Sequence, residues 1–434
     1  MKKSKYNFIV SEENKIYCFN GTTFNFFSLE KSSLTQLKKI FENPDLYQEI
    51  LPSFYNLLLK GRFIIENTID EINYIREINN KNIEEKHYAL TILPTLECNF
   101  SCWYCVQRHE KGKMTPEILT NLCNHIKIMV TEKKIQSLSL EWFGGEPLLY
   151  FHEILYPLAL FAQKICVENN IPFYNSATTN GYLIDDEIIE RMKLINLNSF
   201  QITLDGSKEF HDKVRYSSTQ DSSFDKILLN VKNICSKIED VNVILRFNYD
   251  DKNFNPYILI EQIKKIIPEE LRSKISFRVR KVWQAEHSEQ YRDKILRFKE
   301  MSNLAGFNME PTDDLNMNFI RCYACRKYYN AIAPNGGIYK CTARENFTEI
   351  PFGNLQSDGQ IKWTNDNFTE KYFKQPLFEN EKCLVCKYLP LCMGPCPKSF
   401  EENNLNPTIF NCHKSRPIDL KYEDTILQFC KKNQ

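Results

Sequence analysis

The sequence predicts an α/β fold centred on a parallel β-sheet. Between about residues 88 and 280, short apolar segments typical of buried strands alternate with longer segments of helical periodicity. Six such units in succession indicate a parallel sheet with helices outside it. Because parallel strands are buried on both faces, we expect chemistry at the loops after their carboxyl ends. The predicted strands are Tyr88–Leu93, Leu138–Trp142, Phe173–Thr178, Phe200–Leu204, Asn242–Phe247 and Ile275–Val279.

Two further segments flank this predicted sheet domain, which covers residues 86–311. In residues 1–85, strands at Asn7–Val10 and Lys15–Phe19 precede a helical pattern that begins at Ser28. Pro52 interrupts a second helical pattern, which predicts two short helices, and a strand returns at 62–65. This order of elements predicts a small winged-helix-like module. Residues 312–434 have little periodicity and many cysteines, so we expect metal to stabilise this C-terminal domain.

The composition argues against several classes of protein. The 434 residues are 42% hydrophobic and 26% charged, and 56 basic residues balance 55 acidic ones to a net charge of +1. No charge excess points to nucleic acid or an anionic membrane. No apolar run is long enough to predict a spanning helix, and residues 11–20 are too polar for a signal peptide. We therefore expect a soluble, cytoplasmic protein.

Most of the 16 cysteines fall into three close-spaced groups. Disulfides need an oxidising compartment, whereas grouped cysteines in a cytoplasmic chain more often bind metal. The five isolated cysteines are expected to be small buried apolar side chains. The groups are Cys98, Cys102 and Cys105, then Cys322, Cys325 and Cys341, then Cys383, Cys386, Cys392, Cys396 and Cys412.

The first group reads Cys98-Asn-Phe-Ser-Cys102-Trp-Tyr-Cys105 and follows the first predicted strand of the sheet. Three thiolates can each bind one iron of a [4Fe–4S] cluster, which leaves the fourth iron open to a small molecule. A zinc site usually has four protein ligands, or three and a water, and its cysteine pairs are usually spaced CxxC. The spacing favours an iron–sulfur cluster, with zinc as the alternative.

Polar motifs also end the next strands. Gly144-Gly145-Glu146-Pro147 follows the second strand, where two glycines allow a close backbone approach and the carboxylate can accept hydrogen bonds from an ammonium group. Taken alone, this string is more often a simple turn. Thr179, in Thr178-Thr-Asn-Gly181, offers a hydroxyl to a ribose or carboxylate. Thr203-Leu-Asp-Gly206 ends the fourth strand and precedes His211, Asp212 and Arg215, while Arg246 and Asn248 end the fifth.

The motif CxxxCxΦC, with Tyr104 as the aromatic Φ, and the following Gly-Gly-Glu-Pro resemble those of the radical S-adenosylmethionine (SAM) superfamily. The resemblance implies a partial (β/α)6 TIM-like barrel and a [4Fe–4S] cluster whose open iron is chelated by SAM. Reductive cleavage of SAM would give methionine and a 5′-deoxyadenosyl radical that abstracts hydrogen from the substrate. It also implies that Gly144, Gly145 and Glu146 hold the SAM amino group and that Thr203 and Arg215 contact SAM. For His211 and Asp212, a capping and solvated helix-start pair is the simpler interpretation.

The C-terminal string Cys383-x2-Cys386-x5-Cys392-x3-Cys396 resembles the SPASM domain, an extension that carries auxiliary clusters. A double zinc site is the alternative from spacing alone. Gly336 suits a hairpin turn before Cys341. The resemblance implies three [4Fe–4S] clusters in all, with Cys325 either a fourth ligand of auxiliary cluster I or a spare thiol. Its ligand sets would be Cys322, Cys341 and Cys396 for cluster I, and Cys383, Cys386, Cys392 and Cys412 for cluster II.

SPASM enzymes mature ribosomally made peptides, and this resemblance implies the substrate class. Residues 1–85 would recognise a leader peptide by adding it as a strand to a sheet edge, unless they only cover the barrel. A thioether or carbon–carbon crosslink would form in the precursor peptide, with a flavodoxin or ferredoxin as electron donor. The alternatives are a sulfatase-maturing enzyme that makes formylglycine and, from another class, a non-catalytic metal-bound scaffold that binds peptides.

Overall fold

The chain folds into two units in the computed structural model. The terminal unit contains Met1–Glu85, Asp313–Lys327 and Lys371–Gln434, and the barrel unit contains Lys86–Thr312 and Tyr328–Glu370. The structure describes residues 1–215, 222–250, 253, 255–282, 284, 290–310, 315, 319–343, 347, 350–364, 376–394, 396–398 and 422–434.

The terminal unit begins with an antiparallel sheet and short helices. Strands β2, β3 and β4 form this sheet, and β5 pairs with β1. Pro52 begins a helix of its own, so the prediction of two short helices around it is confirmed. These elements are β1 (Lys2–Lys3), β2 (Asn7–Glu12), β3 (Lys15–Asn20), β4 (Phe26–Glu30), α1 (Leu34–Glu42), α2 (Tyr47–Ile50), α3 (Pro52–Lys60), β5 (Ile64–Ile65) and α4 (Glu71–Ile83).

The prediction of a helix starting at Ser28 is wrong. Ser28 lies within β4, opposite Tyr17 of β3, and the helix begins only at Leu34 after a short 3-10 turn. Phe27 and Leu29, two residues apart, pack against the same apolar cluster of this unit. The alternation of apolar residues with a period of two therefore makes this segment a strand, and the helical periodicity applies only to the residues after it.

The barrel unit contains eleven strands and seven helices among its described residues. Three of these helices are capped by the residue just before them, Thr115, Asp185 or Asn255, whose side chain accepts a hydrogen bond from a backbone N–H three residues on. The strands are β6 (His87–Ile92), β7 (Ser137–Trp142), β8 (Phe173–Thr179), β9 (Leu197–Leu204), β10 (Asn242–Tyr249), β11 (Ile275–Lys281), β12 (Asn308–Met309), β13 (Tyr329–Ile332), β14 (Gly337–Tyr339), β15 (Gly353–Leu355) and β16 (Ile361–Trp363). The helices are α5 (Pro116–Thr131), α6 (Tyr156–Glu168), α7 (Asp186–Leu194), α8 (Lys208–Val214), α9 (Ser223–Lys237), α10 (Pro256–Ile266) and α11 (Gln290–Leu304).

One sheet joins all the strands of the barrel unit, in the order β12-β11-β10-β9-β8-β7-β6-β13-β14-β15-β16. The six predicted strands are β6 to β11, which lie side by side in chain order and run parallel. The predicted α/β class is therefore confirmed. Within the described part of the chain, β12 and β16 end the sheet without pairing to each other, so the barrel is partial.

The sheet continues beyond the six predicted strands. β13 runs parallel to β6, and β14 returns antiparallel to β13. The predicted hairpin turn at Gly336 is present, with a φ of +81° at that residue. These strands have only three or four residues each, which is too short for periodicity to identify.

The two faces of the parallel strands differ in character. One face packs against the helices in a single apolar core, to which β10 contributes Leu245 and Phe247 and β11 contributes Phe277 and Val279. The other face lines the inside of the partial barrel and carries polar residues such as Thr203. This alternation follows from the period of two along a strand.

The described C-terminal part of the terminal unit packs on the sheet formed by β2, β3 and β4. Phe429 makes edge-to-face contacts with Phe19, Phe24 and Phe26. It lies on the last of three helices, α12 (Glu381–Leu384), α13 (Leu389–Cys392) and α14 (Tyr422–Lys432). Across the described residues, no helix combines the length and apolar character needed to cross a membrane.

Candidate functional site

The loop after β6 carries the first three cysteines. Cys98 and Cys102 are half-buried and Cys105 is exposed. The backbone N–H of Phe100 donates to Cys98 Sγ at 3.4 Å, and the N–H of Cys105 donates to the Cys102 carbonyl at 3.1 Å. Burial raises the pKa of the Cys98 thiol to about 12, so a bound metal centre would have to displace its proton.

The Gly-Gly motif after β7 runs directly along this cysteine loop. Gly144 has a φ of +122°, and a Cβ there would lie 2.4 Å from the carbonyl oxygen of Thr95. A Cβ on Gly145 would lie 2.0 Å from the carbonyl oxygen of Glu97. Glycine is therefore required at both positions because two backbones meet, and the N–H of Glu146 donates to the Glu97 carbonyl at 2.8 Å.

The Glu146 side chain fastens the end of β7 to the end of β8. It is fully buried, and its Oε1 accepts from the Leu148 N–H at 2.9 Å and the Thr179 hydroxyl at 2.7 Å. Its Oε2 accepts from the Asn180 N–H at 2.7 Å. Burial raises the pKa of this carboxyl group, and the hydrogen bonds it accepts oppose that shift.

Asn180 connects the β8 loop to the cysteine loop. Its Nδ2 donates to Asn99 Oδ1 at 2.7 Å and lies 3.9 Å from Cys98 Sγ. From the motif Thr178-Thr-Asn-Gly181 the sequence predicts Thr179, and not Asn180, as the residue that contacts the ligand. Thr179 does not reach the cysteine loop through any described contact, since its hydroxyl is used by Glu146 and the Gly181 N–H.

A buried polar cluster joins Tyr104 of the cysteine loop to the segment after β9. The Tyr104 hydroxyl donates to Asp205 Oδ2, and Arg215 Nη1 donates to the Tyr104 hydroxyl at 2.7 Å. Arg215 Nη1 also lies 3.5 Å from Asp205 Oδ2, and Asn248 Nδ2 lies 3.3 Å from the Tyr104 hydroxyl. The structure therefore brings together Tyr104 and Arg215, which were predicted, and Asp205, which was not selected.

His211 forms a hydrogen bond with the backbone of Asp205. Its Nδ1 accepts the backbone N–H of Asp205 at 3.1 Å, and burial lowers the pKa of the imidazole well below its usual range. Because Nδ1 accepts a hydrogen bond, the neutral ring carries its proton on Nε2. Asp212 accepts hydrogen bonds from Ser222, Ser223 and the Phe224 N–H at the start of α9. Asp212 thus caps a helix, while His211 is fully buried rather than solvated.

Thr203 lies apart from this cluster. It is on β9, opposite Arg246 of β10, and is 9% exposed on the inner face of the sheet. No described hydrogen bond joins its side chain to Tyr104, Asp205 or Arg215. Like Thr179, Thr203 is a candidate SAM contact whose side chain makes no described hydrogen bond to the cysteine loop.

The C-terminal cysteines lie in both units. In the terminal unit, Cys322 and Cys325 form a hydrogen-bonded pair in a 3-10 turn, which raises the pKa of Cys322. Also in that unit, the N–H of Cys386 donates to the Cys383 carbonyl at 3.0 Å and the N–H of Cys392 donates to the Tyr388 carbonyl at 2.8 Å. Cys396 lies in the terminal unit as well, Cys341 follows β14 in the barrel unit, and Cys412 lies outside the described residues.

The cysteine loop offers three thiols that fit an iron–sulfur cluster. Among the described residues, no three Cys, His, Asp or Glu side chains converge on one ion position. In a cubane each thiolate binds a different iron, so separated thiols in one loop are the appropriate donor set. The buried atoms here that have no hydrogen-bond partner among the described residues include Asn99 Nδ2, Asp205 Oδ1 and Arg215 Nε. These atoms fit a polar organic ligand bound beside the cluster.

Comparisons with known proteins bear on this site and on the fold. A family model described as the radical SAM superfamily matches residues 92–252, which include the cysteine loop and the polar cluster. The cysteine-type anaerobic sulfatase-maturating enzyme of Clostridium novyi is 25% identical over 358 residues, 74% of this chain and 91% of that protein. The radical SAM cyclopropyl synthase TigE of Paramaledivibacter caminithermalis is 22% identical over 422 residues, 85% of this chain and 83% of that protein.

Solved structures share the fold. SuiB of Streptococcus suis bound to its precursor peptide SuiA superimposes with a TM-score of 0.54 at 17% identity, covering 95% of this chain and 99% of that one. The sulfatase maturase anSMEcpe with bound AdoMet gives 0.54 at 18% identity, covering 80% of this chain and 97% of that one. The cysteine-rich C-terminal segment is consistent with a SPASM domain. Residues 92–252 therefore form a radical SAM domain, the domain of an enzyme family that uses S-adenosylmethionine and a [4Fe–4S] cluster.

Proposed function

We propose that this enzyme oxidatively modifies a ribosomally made precursor peptide and forms a thioether or carbon–carbon crosslink in it. The observation that carries this proposal is the extent of the matches. The match to the peptide-bound SuiB covers 95% of this chain, whereas the match to the sulfatase maturase covers 80%. The radical SAM cyclopropyl synthase TigE also matches over 85% of this chain.

The three cysteines of the loop after β6 are the proposed cluster ligands. Cys98, Cys102 and Cys105 would hold three irons of a [4Fe–4S] cluster, whose bound form supplies the electron that cleaves SAM reductively. Residues of the neighbouring loops would hold the cysteine loop in place. Asn180 does so through Asn99, and Glu146 does so through the Asn180 backbone.

The proposed SAM contacts are Tyr104, Gly144, Gly145, Glu146, Thr179, Thr203 and Arg215. Arg215 is the best supported of these for the SAM carboxylate, because it is 7% exposed and its Nε has no partner among the described residues. A guanidinium forms strong, directional hydrogen bonds to a carboxylate. Tyr104 and Asp205 would fix the orientation of Arg215 through the contacts at 2.7 and 3.5 Å.

The C-terminal cysteines remain the proposed ligands of two auxiliary clusters. The resemblance to the SPASM domain assigns Cys383, Cys386, Cys392 and Cys412 to one cluster. It assigns Cys322, Cys341 and Cys396 to the other, with Cys325 as its fourth ligand or a spare thiol. Residues 1–85 are the proposed leader-binding module, in which a peptide would add to an edge of the sheet formed by β2, β3 and β4. We further propose a cytoplasmic location and a flavodoxin or ferredoxin as electron donor.

Anaerobic reconstitution followed by SAM cleavage tests the proposal. About twelve irons per chain are expected for three cubanes. The Cys98→Ala, Cys102→Ala and Cys105→Ala variants should each abolish 5′-deoxyadenosine formation, whereas Cys123→Ala should retain it because Cys123 is an isolated, half-buried thiol. Cleavage that persists in the triple variant would refute the cluster assignment. Cys383→Ala should retain SAM cleavage and lose peptide product.

The second candidate function is sulfatase maturation. It is favoured by the 25% identity to the cysteine-type enzyme of Clostridium novyi over 91% of that protein. Mass spectrometry distinguishes the two reactions when the holoenzyme is given a sulfatase-derived peptide and, separately, a ribosomally made precursor peptide. Formylglycine in the first peptide would support the second candidate, and loss of two hydrogens in the second peptide without a new carbonyl would support a crosslink.

A further inference from the structure

Three arginines lie on the inner face of two neighbouring strands. In the register of the sheet, Arg246 of β10 lies opposite Arg278 of β11, and Asn248 lies opposite Arg280. Residues two apart on a strand share a face, so all four side chains are on the side opposite the apolar core. Thr203 of β9 is the next neighbour of Arg246 on that face.

Arg246 makes no ion pair with any described residue. Arg278 forms an ion pair with Glu310 and donates to Gln201 Oε1 at 2.8 Å. Arg246 instead donates from Nε to the neutral Asn248 Oδ1 at 2.9 Å and makes no ion pair within the described residues. Burial, followed by the charges of Arg280 and Arg278, lowers the pKa of Arg246, and Tyr104 and Asp205 only partly oppose this shift. A half-buried guanidinium beside like charges is costly unless an anion binds to it.

This guanidinium is close to the proposed SAM site and is reachable from solvent. Asn248, its hydrogen-bond partner, lies 3.3 Å from the Tyr104 hydroxyl. Arg246 lies on β10, the strand next to β9, and Asp205 directly follows β9. Adjacent strands are about 4.8 Å apart, so Arg246 is close to the segment that carries Asp205. The neighbouring Arg278 and Glu310 side chains are 33% and 23% exposed, so water reaches this face.

We propose that Arg246 binds the carboxylate of an acidic side chain, Asp or Glu, in the peptide substrate, with Arg278 and Arg280 adding positive charge beside it. This inference rests on the proposed function, since it names the chemistry of the peptide residue that enters the barrel. SAM has one carboxylate, and Arg215 is the residue better placed for it because it contacts Tyr104 of the cysteine loop directly. Arg246 reaches Tyr104 only through Asn248.

Ligand-observed NMR on the reconstituted, SAM-loaded enzyme tests this proposal with defined probes. The probes are N-acetylglutamate α-amide, its neutral isostere N-acetylglutamine α-amide, and N-acetylglycine, which presents a terminal carboxylate instead. Line broadening during titration gives the affinity of each probe. The variants are Arg246→Gln, Arg246→Lys and, as a matched control, Arg191→Gln, which removes an exposed arginine from α7.

The glutamate probe should bind about tenfold or more tightly than the glutamine probe, as expected for a hydrogen bond to a charged group. Arg246→Gln should abolish this preference, Arg246→Lys should retain part of it, and Arg191→Gln should retain all of it. SAM affinity should be unchanged in every variant.

Several results would overturn the assignment. Equal affinity for the two probes in the unmodified enzyme would do so even if no Arg246 variant folds. So would tighter binding of N-acetylglycine, which would point to a peptide C-terminus, or a loss of SAM affinity in Arg246→Gln with the probe preference intact. The NMR readout does not depend on SAM cleavage. Failure to cleave SAM would therefore refute the proposed function, whereas the carboxylate-binding role of Arg246 is decided by the NMR titration alone.

Discussion

Replacing Glu146 with glutamine removes a buried negative charge and keeps the shape of the side chain. The carboxylate accepts three hydrogen bonds, from the Leu148 N–H at 2.9 Å, the Thr179 hydroxyl at 2.7 Å and the Asn180 N–H at 2.7 Å. An amide has only one acceptor oxygen. In either orientation its NH₂ group faces a backbone N–H, so at least one buried donor loses its partner.

The expected cost follows from that loss. A hydrogen bond to a charged group contributes about 1.5–3 kcal/mol, and an unsatisfied buried donor costs about 1–3 kcal/mol. Burial raises the pKa of Glu146, so removing its charge also removes a desolvation penalty and offsets part of the loss. The net decrease in the free energy of unfolding should be about 2–4 kcal/mol. Thr179→Val removes one donor to Glu146 and the acceptor of the Gly181 N–H, and it should cost about 1–3 kcal/mol.

The same substitution should also lower the rate of SAM cleavage, because Glu146 holds Asn180, which contacts the cysteine loop. Asn180 donates to Asn99, the neighbour of Cys98, so a displaced Asn180 backbone moves the cysteine loop. We expect the rate of 5′-deoxyadenosine formation to fall about tenfold or more in Glu146→Gln, since 1.4 kcal/mol corresponds to a factor of ten. The assays are anaerobic urea unfolding and SAM cleavage by the reconstituted enzyme, without peptide.

The matched control is Glu153→Gln, the same substitution on a carboxylate that is 59% exposed and paired with Lys113. Exposed ion pairs contribute little, so both readouts should change by less than about 1 kcal/mol in free energy. The reasoning would be refuted by a Glu146→Gln enzyme whose unfolding midpoint and cleavage rate match those of this control.

Three further predictions concern the same loops. Gly145→Ala should prevent cluster incorporation, measured as iron per chain, because its Cβ would lie 2.0 Å from the Glu97 carbonyl oxygen. The unfolding free energy should fall as the pH drops below 6.5, because buried His211 stays neutral in the folded chain while the unfolded chain takes up a proton. His211→Gln should reduce this slope by up to about 1.4 kcal/mol per pH unit, measured by urea unfolding at pH 7 and pH 5.5. Asp205→Ala should destabilise the barrel unit by about 3–5 kcal/mol because it leaves Arg215 buried without its carboxylate, and Asp205→Asn should cost less.

Each of these has a result that contradicts it. Normal iron content in Gly145→Ala would show that the two backbones can separate without loss of the site. Equal pH slopes in the His211→Gln and unmodified proteins would mean that His211 takes up a proton in the folded state. Asp205 variants as stable as the unmodified protein would indicate that the ion pair with Arg215 contributes nothing measurable.

The fold class and the position of the site were predictable because both depend on local patterns. Alternating strand and helix periodicity is a local property, and it identified β6 to β11 within a few residues at each end. The cysteine motif and Gly-Gly-Glu-Pro are local as well. That they end neighbouring strands follows from the chain order of a parallel sheet.

The residues that sequence reasoning missed act through long-range contacts. Asp205 is 101 residues from Tyr104 along the chain, and Asn180 is 81 residues from Asn99. Nothing in a strand-end motif shows which of its polar side chains will turn toward another loop. The available signal was the position of each residue directly before a glycine with positive φ, Gly206 and Gly181, where the backbone turns sharply.

Two buried carboxylates beside the cysteine loop differ in the hydrogen-bonding capacity they leave for a ligand. Both oxygens of Glu146 already accept hydrogen bonds from the loops around β7 and β8, and the side chain is fully buried. Asp205 uses only Oδ2, while its Oδ1 and Arg215 Nε have no partner among the described residues. Because buried polar groups are rarely left unpaired, the unused capacity indicates where a polar ligand would bind. We therefore expect substitutions at Asp205 and Arg215 to weaken SAM binding more than they weaken loop packing, and substitutions at Glu146 to do the reverse.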